Sequence, residues 1–387
     1  MKSGPKDILK RTEINITAKC FFGFEETLAD ELTEFGFQNL EILNRAVRFK
    51  GSWKDIYFLN LHCRCAISIL VELDCFEIFS EKDLYDKCMK VDWTNIFDSS
   101  KSFAIKGAIF SSIFQNTHYP FLLVKDAIVD TFRNVKLERP NVDVKKPHVS
   151  FDLYIKENLV TLSLNTSGLP LFQRGYRQST GEAPLNEVVA ACLIRLSGWN
   201  KKTTFLDPFC GSGTLLIEAA LYASGIPSNI ERQHYAFKNL KNYEPLLWQG
   251  IYDSAKRVVR ELPAQIIGGD ISDEMVLKAR RNLRTFSFGR LVKIQSKNFK
   301  EFQTDEEVFV LTNPPYGERI EAAVELLYGE MGSWLKHTMT GSEAWVISGS
   351  KEGLNAIGLK PEKKYKVFNG DLECSFRQFK TYQGSLT

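Results

Sequence analysis

Two short stretches carry residue types whose spacing could do chemistry. In Asp207-Pro208-Phe209-Cys210-Gly211-Ser212-Gly213-Thr214 a carboxylate precedes two glycines; in Asn313-Pro314-Pro315-Tyr316-Gly317-Glu318-Arg319 a polar amide is followed by two rigid residues and an aromatic ring. Glycine is needed where backbone takes positive φ or comes close to a ligand. Gly211 and Gly213 sit where an apolar strand ending at Leu206 turns into a helix with Leu216, Ala219, Ala220 and Ala223 on its apolar face. Such a loop presents backbone amides at a helix start. A P-loop is excluded, because no Gly-Lys-Ser/Thr follows. A dinucleotide fingerprint wants a third glycine where this chain has Leu216, and an acidic residue about twenty positions further on. The nicotinamide reading is therefore weakened. Asp207 would repel a phosphate at the strand end and suits a ligand carrying an ammonium group.

The octet from Asp207 to Thr214 resembles the first motif of class I S-adenosylmethionine-dependent methyltransferases that modify exocyclic amines of nucleobases. The resemblance implies S-adenosylmethionine as cofactor, with contacts from Asp207, Pro208, Cys210, Gly211, Gly213 and Thr214. Asp270, a carboxylate closing the next strand, can accept from both ribose hydroxyls, with Ile271 beside it. Asn298 stands where many relatives carry the aspartate that meets the adenine amine; an asparagine oxygen can still accept there. The second stretch then acquires a chemical meaning. An exocyclic base amine is a poor nucleophile because its lone pair is delocalised into the ring. The Asn313 side-chain oxygen and the Pro314 carbonyl can hold both N–H groups and aim the lone pair at the methyl group. Tyr316 offers a flat face on which a flipped base stacks, worth on the order of 1–3 kcal/mol. Pro-Pro alone is a common chain breaker; after the octet, and in this order, it resembles amino-methyltransferases, many DNA members of which carry the two motifs reversed.

These residues need a sheet to hold them. Ala264 to Gly269 reads as a strand ending in Asp270, and Ser272 caps the following helix, with Asp273 and Glu274 in its first turn where the helix dipole favours them. A third strand runs from Leu291 to Gln295, and Val308 to Leu311 is a fully apolar, buried strand ending at Asn313. In a doubly wound sheet ligands sit off the carboxyl ends of the strands, so both motifs face one crevice. Ala183 to Leu196 reads as a helix resembling the family's lead-in segment beside the cofactor. Lys364 to Phe368, the turn Asn369-Gly370 and Leu372 to Tyr382 read as a hairpin resembling the antiparallel last strand of the methyltransferase sheet. The insertion from Ile226 to Pro263, with Trp248, reads as a capping or RNA-facing subdomain.

Ahead of this half the pattern is mixed. Strand Ile14 to Cys20, helix Glu25 to Phe35 and strands Glu41 to Leu43 and Ala46 to Phe49 make a unit too small to bury a core alone. Helix Trp53 to Leu61, strands Ile67 to Val71 and Ser102 to Lys106, helix Pro120 to Phe132 and strands Val149 to Ile155 and Leu159 to Leu164 resemble a THUMP RNA-binding domain, most in the run Val124 to Asp130. Lys101, Lys106, Lys125, Arg133, Lys136, Arg139, Lys145 and Lys146, with His118 and Tyr119, form a candidate RNA surface. Arg174 and Arg177 flank an aromatic in a Gly- and Pro-punctuated linker, which suits a nucleic-acid backbone. The expected architecture is α/β: a Rossmann-like class I methyltransferase sheet with an antiparallel last strand at 183–387, preceded by an α+β ferredoxin-like unit at 1–50, a THUMP module at 51–166 and a linker at 167–182. On this reading the halves are separable: removing residues up to Asn165 abolishes RNA methylation and leaves cofactor binding intact.

Composition sets outer bounds. A chain of 387 residues exceeds one ordinary core, and 44% hydrophobic with 25% charged residues is ordinary globular usage. Eight cysteines without a Cys-x-x-Cys pair, and five histidines not clustered near them, point to reduced thiols and no metal. No apolar run opens the chain and nowhere do eighteen apolar residues stand together, so no secretion signal, no membrane association and a cytoplasmic location are expected. A net charge of +3 leaves any nucleic-acid surface to local patches. From Arg174 to Tyr382 the chain is similar to bacterial THUMP-containing methyltransferases acting on the 2-amino group of a guanine in 23S ribosomal RNA; some of these carry a second methyltransferase domain, and a single one is expected in this sequence. Transfer-RNA guanine methylation, adenine-N6 methylation of DNA or RNA and a catalytically inactive RNA-binding relative are the alternatives. Pyrimidine carbon methylation would need a nucleophilic cysteine, usually in a Pro-Cys dipeptide, and the chain has none.

Overall fold

The computed structural model describes residues 9–177, 184–257, 261–304, 306–316 and 321–382. The end of the linker, and Gly317, Glu318 and Arg319 of the second stretch, lie outside the described residues.

The first half builds one seven-stranded sheet from β1 (Ile14–Lys19), β2 (Glu41–Leu43), β3 (Ala46–Gly51), β4 (Ser68–Glu77), β5 (Phe103–Phe110), β6 (Val149–Lys156) and β7 (Leu159–Asn165), in the order β2-β3-β1-β4-β7-β6-β5. Its helices are α1 (Glu25–Glu34), α2 (Trp53–His62), α3 (Glu81–Cys88), α4 (Trp93–Ile96) and α5 (Tyr119–Asn134). β4 joins the two N-terminal units, pairing with β1 on one side and β7 on the other. The sequence reading ends this strand at Val71, yet it runs on to Glu77 through a register shift between Glu72 and Asp74. Acidic residues mask the continuation because this end of the strand faces water. β6 shows why the sheet buries one face: Val149, Phe151, Leu153 and Ile155 alternate inward, and Val124, Ala127, Ile128 and Phe132 of α5 are buried with them.

The second half holds β8 (Thr204–Asp207), β9 (Ile266–Asp270), β10 (Lys293–Ser296), β11 (Val308–Thr312), β12 (Glu343–Ser348), β13 (Lys363–Asn369) and β14 (Leu372–Lys380), ordered β10-β9-β8-β11-β12-β14-β13. The strands from β8 to β12 are parallel and β14 pairs antiparallel with β12 and β13. Helices α6 (Glu187–Leu196), α7 (Thr214–Ala223), α8 (Pro245–Arg257), α9 (Asp273–Leu283), α10 (Glu321–His337) and α11 (Lys351–Ala356) complete it. All five residues of β11 are buried, as a strand covered on both faces requires. The chain leaves β8 toward β9 and β10, then returns to β11 on the other side, so the strand order reverses between β8 and β11. That switch point opens the ligand crevice at the carboxyl ends. The terminal hairpin turns one residue later than the sequence suggests. Asn369 pairs with Leu372, and positive φ falls on Gly370, +66°, at the first central position.

The insertion differs from the expected cap. Ser228 Oγ donates to the Cys63 carbonyl and the Asn229 amide to that of Leu61, while Phe237, Tyr243 and Trp248 surround Tyr57 of α2. The Arg232 guanidinium donates to the carbonyls of Ser167, Leu169, Pro170, Gln173 and His234. Five carbonyls around one buried cation fix the linker against the insertion. The segment is a strap binding the two halves, because its aromatic residues are consumed in that packing. Among the described residues no helix is long and apolar enough to cross a membrane, and no His/Cys/Asp/Glu group could hold a metal ion.

Candidate functional site

Two left-handed glycines shape the first loop: Gly211 has φ +52° and Gly213, which opens α7, φ +85°. A Cβ at Gly213 would also lie 3.1 Å from that of Ala279, so close helix packing adds to the backbone demand. Asp270 ties this loop to β9. Its Oδ2 accepts from the Gly211 amide at 3.0 Å and its Oδ1 from the Ser272 amide at 2.9 Å. Capping of α9 falls to the Ser272 hydroxyl, which accepts from the Met275 amide at 3.4 Å. Each Asp270 oxygen keeps a lone pair for a ligand. Beside it Ile271 is 75% exposed, an apolar side chain open at the crevice wall. Pro208 and Cys210 are buried under the loop, the Cys210 amide donating to the Gly269 carbonyl at 2.8 Å. Asn298 caps a short 3-10 turn, its Oδ1 accepting from the Lys300 amide at 3.0 Å; its adenine-facing role therefore shares an oxygen with a structural one.

Asp207 and the second motif meet through a bond that the sequence did not disclose. Thr312, the residue before Asn313, donates its hydroxyl to Asp207 Oδ1 at 2.7 Å, with both residues 1% exposed. The Phe209 amide also donates to that oxygen, at 3.2 Å. Burial pushes the Asp207 carboxyl up to about 7, against these two donors and aided by the negative charge of Asp270. A buried carboxylate with so few donors is poised to gain from a cationic partner. Only the parallel pairing of β8 with β11 brings Thr312 to Asp207, so no spacing rule could have singled it out.

At the end of β11 the Asn313 Oδ1 is buried and has no hydrogen-bond partner among the described residues. Buried acceptors are almost always paired, and an orphaned one costs about 1–3 kcal/mol. Among the described residues the Pro314 carbonyl nearby receives a long contact, 3.5 Å, from the Tyr328 hydroxyl of α10, which bonds Ser348 Oγ at 2.7 Å. Two acceptors thus stand at the crevice with capacity to spare. The Tyr316 ring packs on Gly349, and its hydroxyl lies 3.9 Å from the Cys374 sulfur with Asn369 also beside it; burial pushes that phenol above its ordinary range.

The basic residues divide. Arg174 is not a surface contact: its side chain is fully buried, its Nε faces Glu218 Oε1 at 3.3 Å, and it also donates to the carbonyls of Leu171 and Arg64 and to Asn229. Charge of this kind is buried only when paired, and Glu218, itself buried, supplies the pair. Arg177 is likewise turned inward, donating to Glu187 Oε1 at 2.7 Å, to the Leu185 carbonyl and to Thr214 Oγ1 at 3.2 Å. Both were expected along a nucleic-acid backbone; the linker instead turns them into the methyltransferase half. Lys106 is exposed on the edge strand β5, and Lys125 pairs with Asp126 at 2.8 Å.

Residues 174–378 match the model of the RMKL-like methyltransferase domain family, more than half of the chain. The chain belongs to that family. Ahead of this domain, residues 15–70 match the RlmL ferredoxin-like domain and 79–165 the THUMP domain. A curated relative from Shewanella baltica, ribosomal RNA large subunit methyltransferase K/L, is 35% identical over 380 residues, covering 96% of this chain and 54% of the relative. The chain spans about half the length of the curated relatives it matches. Two solved structures match nearly the whole chain. SMU.472, a candidate methyltransferase complexed with S-adenosylhomocysteine, is 28% identical with a TM-score of 0.84, covering 97% of this chain and all of that one. A candidate methylase from Clostridium difficile 630 is 27% identical with a TM-score of 0.86 and the same coverage. In the RMKL-like methyltransferase sheet seen here, Asp207, Gly211, Gly213, Asp270 and Asn313 all gather at the carboxyl edge of β8, β9 and β11, as the expected fold class requires.

Proposed function

We propose that the chain is an S-adenosylmethionine-dependent RNA methyltransferase that modifies the exocyclic 2-amino group of a guanine in 23S ribosomal RNA. The observation that carries this reading is the buried, partnerless Asn313 Oδ1 beside the Pro314 carbonyl at the switch point. An acceptor left unpaired in the folded protein is reserved for a donor that arrives with the substrate, and an exocyclic amine brings two N–H groups.

The residues fit the cofactor. Asp270 has free lone pairs for ribose hydroxyls, Ile271 offers an apolar wall, Asn298 a polar edge, and buried Asp207 a carboxylate for an ammonium group. When bound, the cofactor supplies an electrophilic methyl group. Gly211 and Gly213 hold the loop open without side chains, Asp270 fixes its position, and Pro208, Cys210 and Thr214 pack it in place. The Asn313 side-chain oxygen and the Pro314 carbonyl accept hydrogen bonds from the two amine N–H groups and turn the nitrogen lone pair outward, and Tyr316 braces the base. The cofactor and the large-subunit RNA reading draw support from the relatives named above. The THUMP match supports RNA capture by the first half, with Lys106 and Lys125 as candidate contacts. The divisions 1–50, 51–166, 167–182 and 183–387 are our proposed module limits, and ribosomal RNA as substrate implies a cytoplasmic protein.

Incubation with labelled cofactor and separated ribosomal, transfer and genomic nucleic acids tests the reading. Label in large-subunit RNA, recovered as N2-methylguanosine by mass spectrometry of nucleosides, is expected. Methyl on adenine nitrogen or on any ring carbon overturns it.

A further inference from the structure

A cavity of about 430 Å³ lies where the linker, the start of α6 and the β13–β14 turn converge, lined by Phe172, Gln173, Arg177, Asn186, Asn369 and Gly370 among others. Its position follows from the topology. β13 is antiparallel to β14, which is antiparallel to β12, so β13 runs with the parallel strands and its last residue, Asn369, stands on the same edge as Asp207, Asp270 and Asn313. Asn369 is held there by the Asn186 amide, which donates to its Oδ1 at 3.1 Å, and it sits beside the Tyr316 hydroxyl. Arg177 reaches from the other wall to Thr214, the first residue after the glycine loop. The cavity therefore flanks the reaction centre on the side away from β9 and Asp270, where the adenosyl end of the cofactor is assigned. The space beyond Tyr316 is left for the group to be methylated.

We propose that this cavity receives the flipped target nucleotide and that the Nη1 group of Arg177 donates to the guanine O6, selecting guanine. The inference rests on the guanine reading above. Among the described residues Arg177 Nη1 is buried with no partner, while Nε and Nη2 are engaged. The Glu187 carboxylate, 2.7 Å away, already neutralises the guanidinium. A neutralised cation with one spare donor suits an uncharged acceptor such as a base carbonyl better than a carboxylate or phosphate. Phe172 gives the same cavity an aromatic wall, which a flipped base needs and a methionine tail does not.

The test uses the full chain with S-adenosylhomocysteine and 2-aminopurine riboside 5′-monophosphate, a fluorescent probe that keeps the 2-amino group and lacks O6. Its quenching reports binding, and competition reports the affinity of GMP. Wild type should bind GMP roughly tenfold or more tightly than the probe, the discrimination expected of one base-edge contact. Arg177→Lys keeps a charge facing Glu187 but removes Nη1 together with the Nη2 bonds to the Leu185 carbonyl and Thr214; it should bring GMP down to the affinity of the probe, while unchanged binding of the probe, which lacks O6, shows that the cavity wall has held. A fall in both, or an unchanged ratio, overturns the assignment. Phe172→Ala should weaken both ligands, and no effect on either removes the cavity from base capture. Calorimetry of S-adenosylhomocysteine with Arg177→Lys separates the two sites: a loss there would tie Arg177 to the cofactor loop through Thr214 and overturn the assignment. Absence of nucleotide binding in wild type defeats the cavity assignment alone, because RNA methylation is measured separately.

Discussion

Asn313→Ala should push stability and turnover in opposite directions. In the folded protein Asn313 Oδ1 is buried without a partner, a state that costs about 1–3 kcal/mol. Truncation to Ala removes that cost and leaves a small void in a half-open loop, so the net effect lies between neutral and about 2 kcal/mol stabilising. The conversion is about 2–4 °C per kcal/mol for 150–250 residues and smaller for the larger unit that the shared core makes, so the Tm should hold or rise by a few degrees. Turnover loses a preorganised acceptor at the reacting nitrogen, about 10²–10³-fold, or roughly 2.7–4 kcal/mol. Single-turnover methyl transfer to large-subunit RNA at saturating cofactor gives the second number and calorimetric unfolding the first. A variant that melts several degrees lower while still transferring methyl at the wild-type rate would show that Oδ1 is a structural group, and the reasoning fails.

Asp270→Ala should weaken S-adenosylmethionine binding about 10- to 100-fold by calorimetry, the worth of hydrogen bonds to one charged acceptor; equal affinity removes Asp270 from the site. Asp207 sets a pH dependence. Its carboxyl titrates near 7 in the free protein, above the ordinary 3.8, so the folded state binds the extra proton and loses stability as pH rises from about 4 to 7. Binding of an ammonium-bearing cofactor needs the charged form, so affinity should climb toward tenfold per pH unit below about 7, with proton uptake by the buffer; a flat profile between pH 5.5 and 7, as approximate limits, rejects the pairing. Arg174→Met leaves Glu218 buried without its ion-pair partner, the Tyr176 hydroxyl still donating to it, and should cost about 3–5 kcal/mol of stability, whereas a stable variant with weakened RNA affinity would restore Arg174 to the RNA surface. Deleting residues up to Asn165 should yield a chain that unfolds or aggregates; a stable fragment that binds cofactor with wild-type affinity would contradict this.

That last expectation reverses the separability read from the sequence, and the reason lies in what local pattern can carry. The glycine loop, the Asp270 strand end and the Asn313 motif were legible because each is a short run whose residue types answer to local backbone chemistry: positive φ at Gly211 and Gly213, a serine cap at Ser272, an apolar strand before Asn313. Alternation and helical spacing located most strands and helices of both sheets for the same reason. β12, α10 and α11 escaped notice although β12 is wholly apolar at its centre, since no motif drew the reading to them.

The seam between the halves was illegible because its logic is entirely long-range. Arg174 is buried by virtue of Glu218, 44 positions away, and of the Arg64 carbonyl, 110 positions away. Glu31 of α1, 1% exposed, collects the amides of Arg64 and Cys65 and the Cys63 thiol, and the Arg64 guanidinium in turn donates to the carbonyls of Leu221 and Ile226. One hydrophobic cluster runs through both halves, from Ile14 to Phe376. Charged residues in a Gly- and Pro-rich linker look like a solvated tether, and only the fold shows that they are the keystones of a shared core. A capture module fused this firmly to a catalytic sheet cannot swing freely. An RNA captured by the first half, as proposed above, would be presented to the Asn313 crevice from a fixed direction, and the distance between the bound strand and the flipped nucleotide would be a property of the seam itself.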